Sequence, residues 1–477
     1  MNMDNSEFRK KAHELVDWMA DYLENISQYP VKPDIKPGDI KIQLPLAAPD
    51  VNESFDKIFS DFENIILPGM THWQHPAFFA YFPTGVSEAS ILAEMLTTTL
   101  AAQCMIWLTS PAAEELEERM MEWIREMTGL PENFTGVIQD SSSTSTLVAL
   151  LTARESKNNF EINKSGFKEN KFRIYTSDQA HSSVDKAVKI AGFGIDNLIK
   201  INVDENFAMI PEELAKAIQT DIKNGYVPLC VVSTIGTTSS CAIDPIDKIG
   251  MICQKYNCWH HIDASYAGTA LIVPELRWMN KGIELADSFV FNPHKWMFTN
   301  FDCSVYYVKD KNALVETFAI MPEYLKTPED KLVNNYRDWG IPLGRKFRAL
   351  KLWFVIRSYG VEGLKNKISE HIEYGHWFRD QIEKTPGFEL MAPVHLNLIC
   401  FRIKPSGITS ESELEFINKA LLAKLNNSGK ILLTQTRLNE KFVIRFIGGN
   451  LNTTLESVKA GWELIREYST GYMKIEN

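Results

Sequence analysis

At 477 residues, with 45% hydrophobic and 23% charged residues, the chain has an ordinary globular composition and room for two or three domains. Its net charge of −11 argues against nucleic acid or an anionic membrane as the main partner, because both need clustered Lys and Arg to displace counterions. Seven cysteines without a dense framework, a charged N-terminus without a signal-peptide core and no apolar run of about 18 residues lead us to expect a cytoplasmic protein acting on a small molecule.

Phe8, Leu15, Met19 and Leu23 recur at helical spacing and predict an N-terminal helix whose apolar stripe must dock on something. The Pro-rich stretch YPVKPDIKPGDIKIQLPLAAP then reads as an extended strap. Residues 1–84 cannot build their own core, so they are expected to clasp a second subunit. A large α/β domain is expected over 85–358. It opens with the helix SPAAEELEERMMEWIREMTGLP, with Ser110 as cap, Pro111 in the first turn, Leu116, Met120, Trp123 and Met127 on one face, and Gly129 as stop. The β-rich runs GVIQ, FRIYTS, LIKINV, CVVSTIG, WHHIDAS, SFVFN and SVYYVK alternate with helices such as PEELAKAIQTDI, which predicts a mostly parallel sheet covered on both faces. Over 359–477 the order strand LNLICFRI, helix ESELEFINKALLAKLNN, strands KILLTQ and KFVIRFIG and helix LESVKAGWELIREY predicts a smaller C-terminal α+β domain.

Four polar clusters follow predicted strands of the central domain, and strand C-termini of such a sheet converge on one crevice. DSSSTST precedes a helix, so its N–H groups and hydroxyls suit a phosphate; a simpler reading makes Ser143 or Thr144 only the helix cap. In HIDASYAG, Asp263 ends a strand that should be buried, where a carboxylate needs a cation or donors: Lys295 or a protonated ligand nitrogen. His181 in DQAHSS offers a helix start or a flat stacking ring. Lys295 in FNPHKW closes an apolar run and becomes nucleophilic if burial strips its proton. Cys253, Cys258, His260 and His261 suggest zinc, but adjacent strand residues point to opposite faces, so no metal is expected. GFGID at 192–196 lacks the third glycine of a nicotinamide-binding turn. One ligand uses a phosphate cradle, a flat ring, a buried carboxylate and a lysine together: pyridoxal 5'-phosphate.

NPHKW, SDQAHSSVDKA, HIDASYAG, NFDCS and YRDWGIPLGRKFRALKLWFVIRSYG resemble the pyridoxal-phosphate-dependent aromatic-L-amino-acid decarboxylases, the group II family that includes dopa and tryptophan decarboxylases. The resemblance runs from HWQHPAFFAYFPT to RFIGGN. It implies the fold type I transferase architecture, a homodimer, and conversion of tryptophan, 5-hydroxytryptophan, dopa, tyrosine or phenylalanine to the arylalkylamine and CO2. It further implies that Lys295 forms the Schiff base, Asp263 pairs with the ring nitrogen, His181 stacks on the ring, and Thr234 approaches the cofactor hydroxyl and the substrate carboxylate. Ser142, Ser143 and Asn292 would hold the phosphate. Trp73, Tyr81, Phe82, Thr84, Met105, His181 and Gly344 would line the substrate pocket. Tyr324, in the polar loop MPEYLKTPEDKLVNNYRDW, would protonate Cα as the loop closes.

Gly344 stands where relatives acting on histidine, or on phenolic substrates in plants, tend to carry serine, which implies room for an indole. No arginine stands out in the pocket segments to hold a side-chain carboxylate. Aldehyde synthases of the family carry phenylalanine for Tyr324 or asparagine for the stacking histidine, and neither change is present. Also weighed are a decarboxylase of a non-aromatic acid and a silent scaffold, which would be expected to lose Lys295 or Tyr324. The chain departs from animal relatives at DSSSTS, where they read close to GSASEA, and at Met105, where they place an aromatic residue that reaches across the dimer. Ser265 replaces the alanine that commonly packs beneath the ring, which adds a hydroxyl near the cofactor.

Overall fold

The computed structural model describes residues 3–168, 170–320, 328–329 and 332–473. The chain divides into two compact units, one of Met1–Tyr81, Tyr374–Met391 and Ile399–Asn477, the other of Phe82–Glu373 and Ala392–Leu398.

The second unit is built on seven strands: β1 Thr135–Gln139, β2 Phe172–Ser177, β3 Leu198–Ile201, β4 Val227–Thr234, β5 Trp259–Asp263, β6 Ser288–Phe291 and β7 Ser304–Val308. They lie in the order β1-β7-β6-β5-β4-β2-β3. The five from β6 to β3 pair in parallel, and β7 runs antiparallel to both β6 and β1. The sheet is therefore mixed, with the expected parallel majority. Both faces are buried: Cys230 and Val232 of β4 pack with Ile174 and Leu229 on one side, and Val231 packs with Tyr175, Ile218 and Ile249 on the other. This two-sided burial explains why the strands read as near-continuous apolar runs.

The helix Pro111–Thr128 forms where expected, but it is rotated. Its buried face carries Glu114 and Glu117 with Met120, Met121, Ile124 and Met127, while Leu116 and Trp123 are only half-buried. The cause is a distant cation: Arg345 donates to Glu117 Oε1 at 2.6 Å, and the Ile138 N–H donates to the same oxygen at 2.8 Å. Burial and the neighbouring Glu117 push the Glu114 carboxyl up to about 8. Ser110 sits at the N-cap, yet its hydroxyl donates to the Gln103 carbonyl and caps nothing.

In the first unit, strands β8 Phe388–Leu390, β9 Leu398–Ile403, β10 Thr434–Leu438 and β11 Lys441–Ile447 form a sheet in the order β10-β11-β9-β8. The run KILLTQ was expected to be a strand throughout, but β10 begins only at Thr434. Upstream, Leu432 bonds instead to the Ala77–Phe79 backbone, its carbonyl accepting from Phe79 N–H at 3.0 Å. The N-terminal strap is also tied to this unit by the Val31 N–H, which donates to Gly429 O at 2.9 Å. The helix Asn5–Glu24 covers its stripe only partly. Trp18 packs on Tyr22, Phe59 and Phe62, and Phe8 is 62% exposed. The long helix Arg348–Lys384 is broken at Gly360, whose φ of 63° is cheap only for glycine.

Candidate active site

Strands β2, β4, β5 and β6 are parallel, and β1, two antiparallel steps from β6, runs the same way, so their C-terminal ends share one edge of the sheet. That edge collects the four polar clusters: Ser142 after β1, His181 after β2, Thr234 and Asp263 at the last positions of β4 and β5, and Asn292 and Lys295 after β6. Thr234 and Asp263 are register partners, as are Asp263 and Val290.

Asp263 is 3% exposed. Its Oδ1 accepts the Ser265 N–H at 3.0 Å and the Ser265 hydroxyl at 2.5 Å, and Oδ2 accepts no hydrogen bond among the described residues. Lys295 lies in the short helix Pro293–Trp296, with its N–H donating to Asn292 O at 2.9 Å. Burial lowers its ammonium below the ordinary lysine range, and the Asp263 charge opposes that shift. Its backbone is gripped by Gly85: a Cβ there would stand 2.8 Å from Lys295 O and 2.9 Å from Phe298 Cα, so only glycine fits. Lys295 Nζ stands 5.4 Å from the Phe82 ring centroid, and Phe82, Tyr266 and Trp296 stack in series at 4.0 and 4.5 Å.

His181 Nδ1 accepts the Ser183 N–H at 3.2 Å and lies 2.8 Å from the Ser183 hydroxyl, which leaves the ring proton on Nε2. Burial lowers its pKa, with Asp263 opposing and Lys295 adding to the shift, so the ring is neutral at pH 7. The Asp263 charge thus acts on both Lys295 and His181.

The helix Ser142–Lys157 is capped by Ser141, whose hydroxyl accepts the Thr144 N–H, so neither Ser143 nor Thr144 is the cap. The N–H groups of Ser142 and Ser143 precede the first intrahelical bond, from Ser145 N–H to Ser141 O. Ser142 Oγ donates to Asn292 Oδ1 at 2.7 Å, which ties two of the clusters together. Sequence reasoning missed Asp244, which is 1% exposed and pushed up to about 6 by burial. Its two oxygens accept the N–H groups of Thr234 and Met209, both at 2.7 Å, and so pin the end of β4. A carboxylate inside the apolar run CAIDPI was the only local signal.

These residues fit pyridoxal phosphate. Asp263 presents a carboxylate oxygen without a donor, the helix start presents N–H groups for an anion, and a buried lysine stands beside both. Phe82 and Thr84 belong to the unit that carries Lys295, whereas Trp73 and Tyr81 belong to the other unit, with rings 5.8 Å apart. Met105 and Gly344 belong to the unit that carries Lys295. Arg337 N–H donates to Met105 O, Arg345 N–H to Gln103 Oε1 at 2.7 Å, and a Cβ on Gly344 would meet Gln103 Nε2 at 3.1 Å. Tyr324 lies outside the described residues. His260 and His261 point to opposite faces, toward Ser233 and Ser288.

A family model described as the pyridoxal-dependent decarboxylase conserved domain matches residues 37–404. The chain is 42% identical over 490 residues to an aromatic-L-amino-acid decarboxylase of Rattus norvegicus, covering 99% of this chain and 100% of that protein. It is 41% identical to a phenylacetaldehyde synthase of Arabidopsis thaliana, over 98% of this chain and 96% of the other. Among solved structures, Oryza sativa TDC with PLP and tryptamine matches at a TM-score of 0.95 and 33% identity, covering 99% of this chain and 100% of that one.

Proposed function

The chain belongs to the pyridoxal-dependent decarboxylase family, and from that premise we propose that it converts aromatic L-amino acids to arylalkylamines and CO2. The reading is supported above all by one sheet edge that gathers Lys295, Asp263 and His181, with the buried Asp263 carboxylate acting on the other two.

When bound, pyridoxal phosphate supplies a carbonyl that joins the substrate amine and a ring that takes up the electron pair left as CO2 departs. The protein's residues do the rest. Lys295, its ammonium lowered by burial, would hold the cofactor through its amine. Asp263, whose Oδ2 accepts no hydrogen bond among the described residues, would keep the ring nitrogen protonated. The neutral His181 ring would pack against the cofactor without adding a charge that opposes Asp263. The Ser142 and Ser143 N–H groups bind the phosphate, helped by Asn292, whose Oδ1 is already taken by Ser142 and whose amide N–H₂ is the remaining donor. Thr234, pinned by Asp244, orients the scissile carboxylate. Tyr324 delivers the proton to Cα, and Phe82 and Thr84 receive the aromatic ring.

The reading includes a homodimer in the cytoplasm. On the helix Glu88–Leu100 the side chains of Leu92, Met95, Leu96 and Leu100, spaced to share a face, are 53%, 39%, 47% and 62% exposed, an apolar stripe suited to a second copy. Met105 and Gly344 then act at the partner's site. All seven cysteines are buried free thiols, which suits a reducing compartment. Among the described residues no helix is long and apolar enough to cross a membrane. Sedimentation equilibrium is expected to give the mass of two chains, and Leu96→Glu to give one with lost activity; a monomeric active parent would remove the dimer from this reading.

The deciding assay supplies the protein and pyridoxal phosphate with tryptophan, 5-hydroxytryptophan, dopa, tyrosine, phenylalanine, histidine and glutamate, and identifies products by mass spectrometry. Arylalkylamine and CO2 in equal amounts from aromatic acids is the expected outcome. Aldehyde with ammonia would transfer the chain to the synthase branch represented by the Arabidopsis relative.

A further inference from the structure

Ser265 touches the Asp263 carboxylate, and it is held there by its own backbone. Its carbonyl accepts the Asn292 N–H at 3.0 Å, and the preceding Ala264 N–H donates to Val290 O at 2.9 Å. The turn leaving β5 is thus clamped to the segment that leads to Lys295. From this fixed position both Ser265 donors, N–H and Oγ–H, converge on Asp263 Oδ1 at 3.0 and 2.5 Å. No other side chain donates to Asp263 among the described residues. An alanine here would keep the N–H bond and lose only the hydroxyl bond.

We infer that Ser265 is a positioning residue for the decarboxylation: its hydroxyl fixes Oδ2 as the oxygen that meets the cofactor nitrogen and weakens the hold of the carboxylate on that nitrogen's proton. The inference rests on the cofactor reading given above. Its physical basis is the sharing of charge within one carboxylate. A hydrogen bond to an ionised oxygen is about twice as strong as one between neutral groups, and charge committed to Oδ1 is withdrawn from Oδ2. A ring nitrogen keeps its proton only as far as the facing negative charge favours the protonated form. Three titratable groups share the field of Asp263, namely His181, His261 and Lys295, and none of them donates a hydrogen bond to it. His261 is pushed down to about 4 by burial and stays neutral through the working range. Among the described residues the Ser265 hydroxyl is therefore the uncharged side-chain control on the Asp263 carboxylate, and an alanine at 265 would remove it.

The test compares the full-length parent, Ser265→Ala and Ser265→Thr, each loaded with pyridoxal phosphate labelled with 15N in the ring. In the alanine variant the 15N resonance is expected to move toward the protonated form, and the pH at which the ring nitrogen loses its proton to rise by about one unit. Threonine keeps the hydroxyl and is expected to restore the parental titration. A purely structural role for Ser265 would lower Tm or cofactor occupancy without moving that pH, and would overturn the inference, as would an unchanged resonance in a loaded alanine variant. A parent that binds no cofactor would overturn the cofactor reading instead. The hydroxyl contact is then decided by the infrared carboxylate stretch of Asp263, isolated as the difference from Asp263→Asn. A stretch displaced by Ser265→Ala supports the contact, and an unmoved one removes it.

Discussion

Lys295→Ala is expected to lower kcat for amine release by about 10³-fold or more while the fold survives, because removing a covalent catalytic group typically costs at least that much. The survival of the fold has its own argument. Burial lowers the Lys295 ammonium below its ordinary range, so the charged amine is a burden on the folded state. The unfolded chain keeps that proton to about pH 10.4 whereas the folded chain gives it up earlier, so folding releases a proton within that interval. Parental stability therefore gains on that of the variant as pH rises through it, in the cofactor-free chain, and at neutral pH the variant is relieved of the burden. Denaturation at several pH values reads the gain. Borohydride reduction should fix the cofactor to a peptide containing Lys295 in the parent and to none in the variant. Parental turnover by Lys295→Ala would end the assignment of this lysine.

For Asp263→Asn the expected loss is about 10²- to 10⁴-fold in kcat, together with weaker cofactor affinity. Breaking one side of a buried charged pair costs about 3–5 kcal/mol, and each 1.36 kcal/mol is tenfold in rate. The substitution keeps the shape. The Asn Oδ1 still accepts both Ser265 donors, so the amide N–H₂ falls where Oδ2 stood and meets the ring nitrogen with a donor in place of an acceptor. A protonated ring nitrogen is then repelled. Kinetics and the cofactor dissociation constant both read the change, and a loss below tenfold in each would show that the carboxylate charge is not what the reaction uses.

Much of the site was legible because its signals are local. A polar cluster at the end of a β-rich run marks the C-terminal edge of a parallel sheet wherever the strand sits, so DSSSTST, DQAHSS, HIDASYAG and FNPHKW announced one crevice before the strand order was known. Alternation of strands and helices gave the sheet class in the same way. Glycine stops, the proline first turn and helical spacing located the helix Pro111–Thr128 to within a residue.

What the chain alone did not reveal depends on partners far away in sequence. The face that Pro111–Thr128 buries was chosen by Arg345, 228 positions from Glu117, since a buried pair outweighs the stripe that Leu116 and Trp123 suggested. The start of β10 was set by backbone groups of Ala77–Phe79 competing for Leu432. The cap went to Ser141, whose hydroxyl accepts the Thr144 N–H, over its hydroxyl neighbours, and Asp244 reached Thr234 by folding back across ten residues.

Residue types and their periods thus determined the strand and helix content, the polar edge and the lysine, carboxylate and histidine gathered there. Helix rotation, the end of β4 and the Ser265 hydroxyl on Asp263 were decided only by tertiary structure. The physical reason is range: propensity and amphipathic period act over a few residues, whereas satisfying a buried charge or a backbone N–H requires a partner whose place only the completed fold supplies.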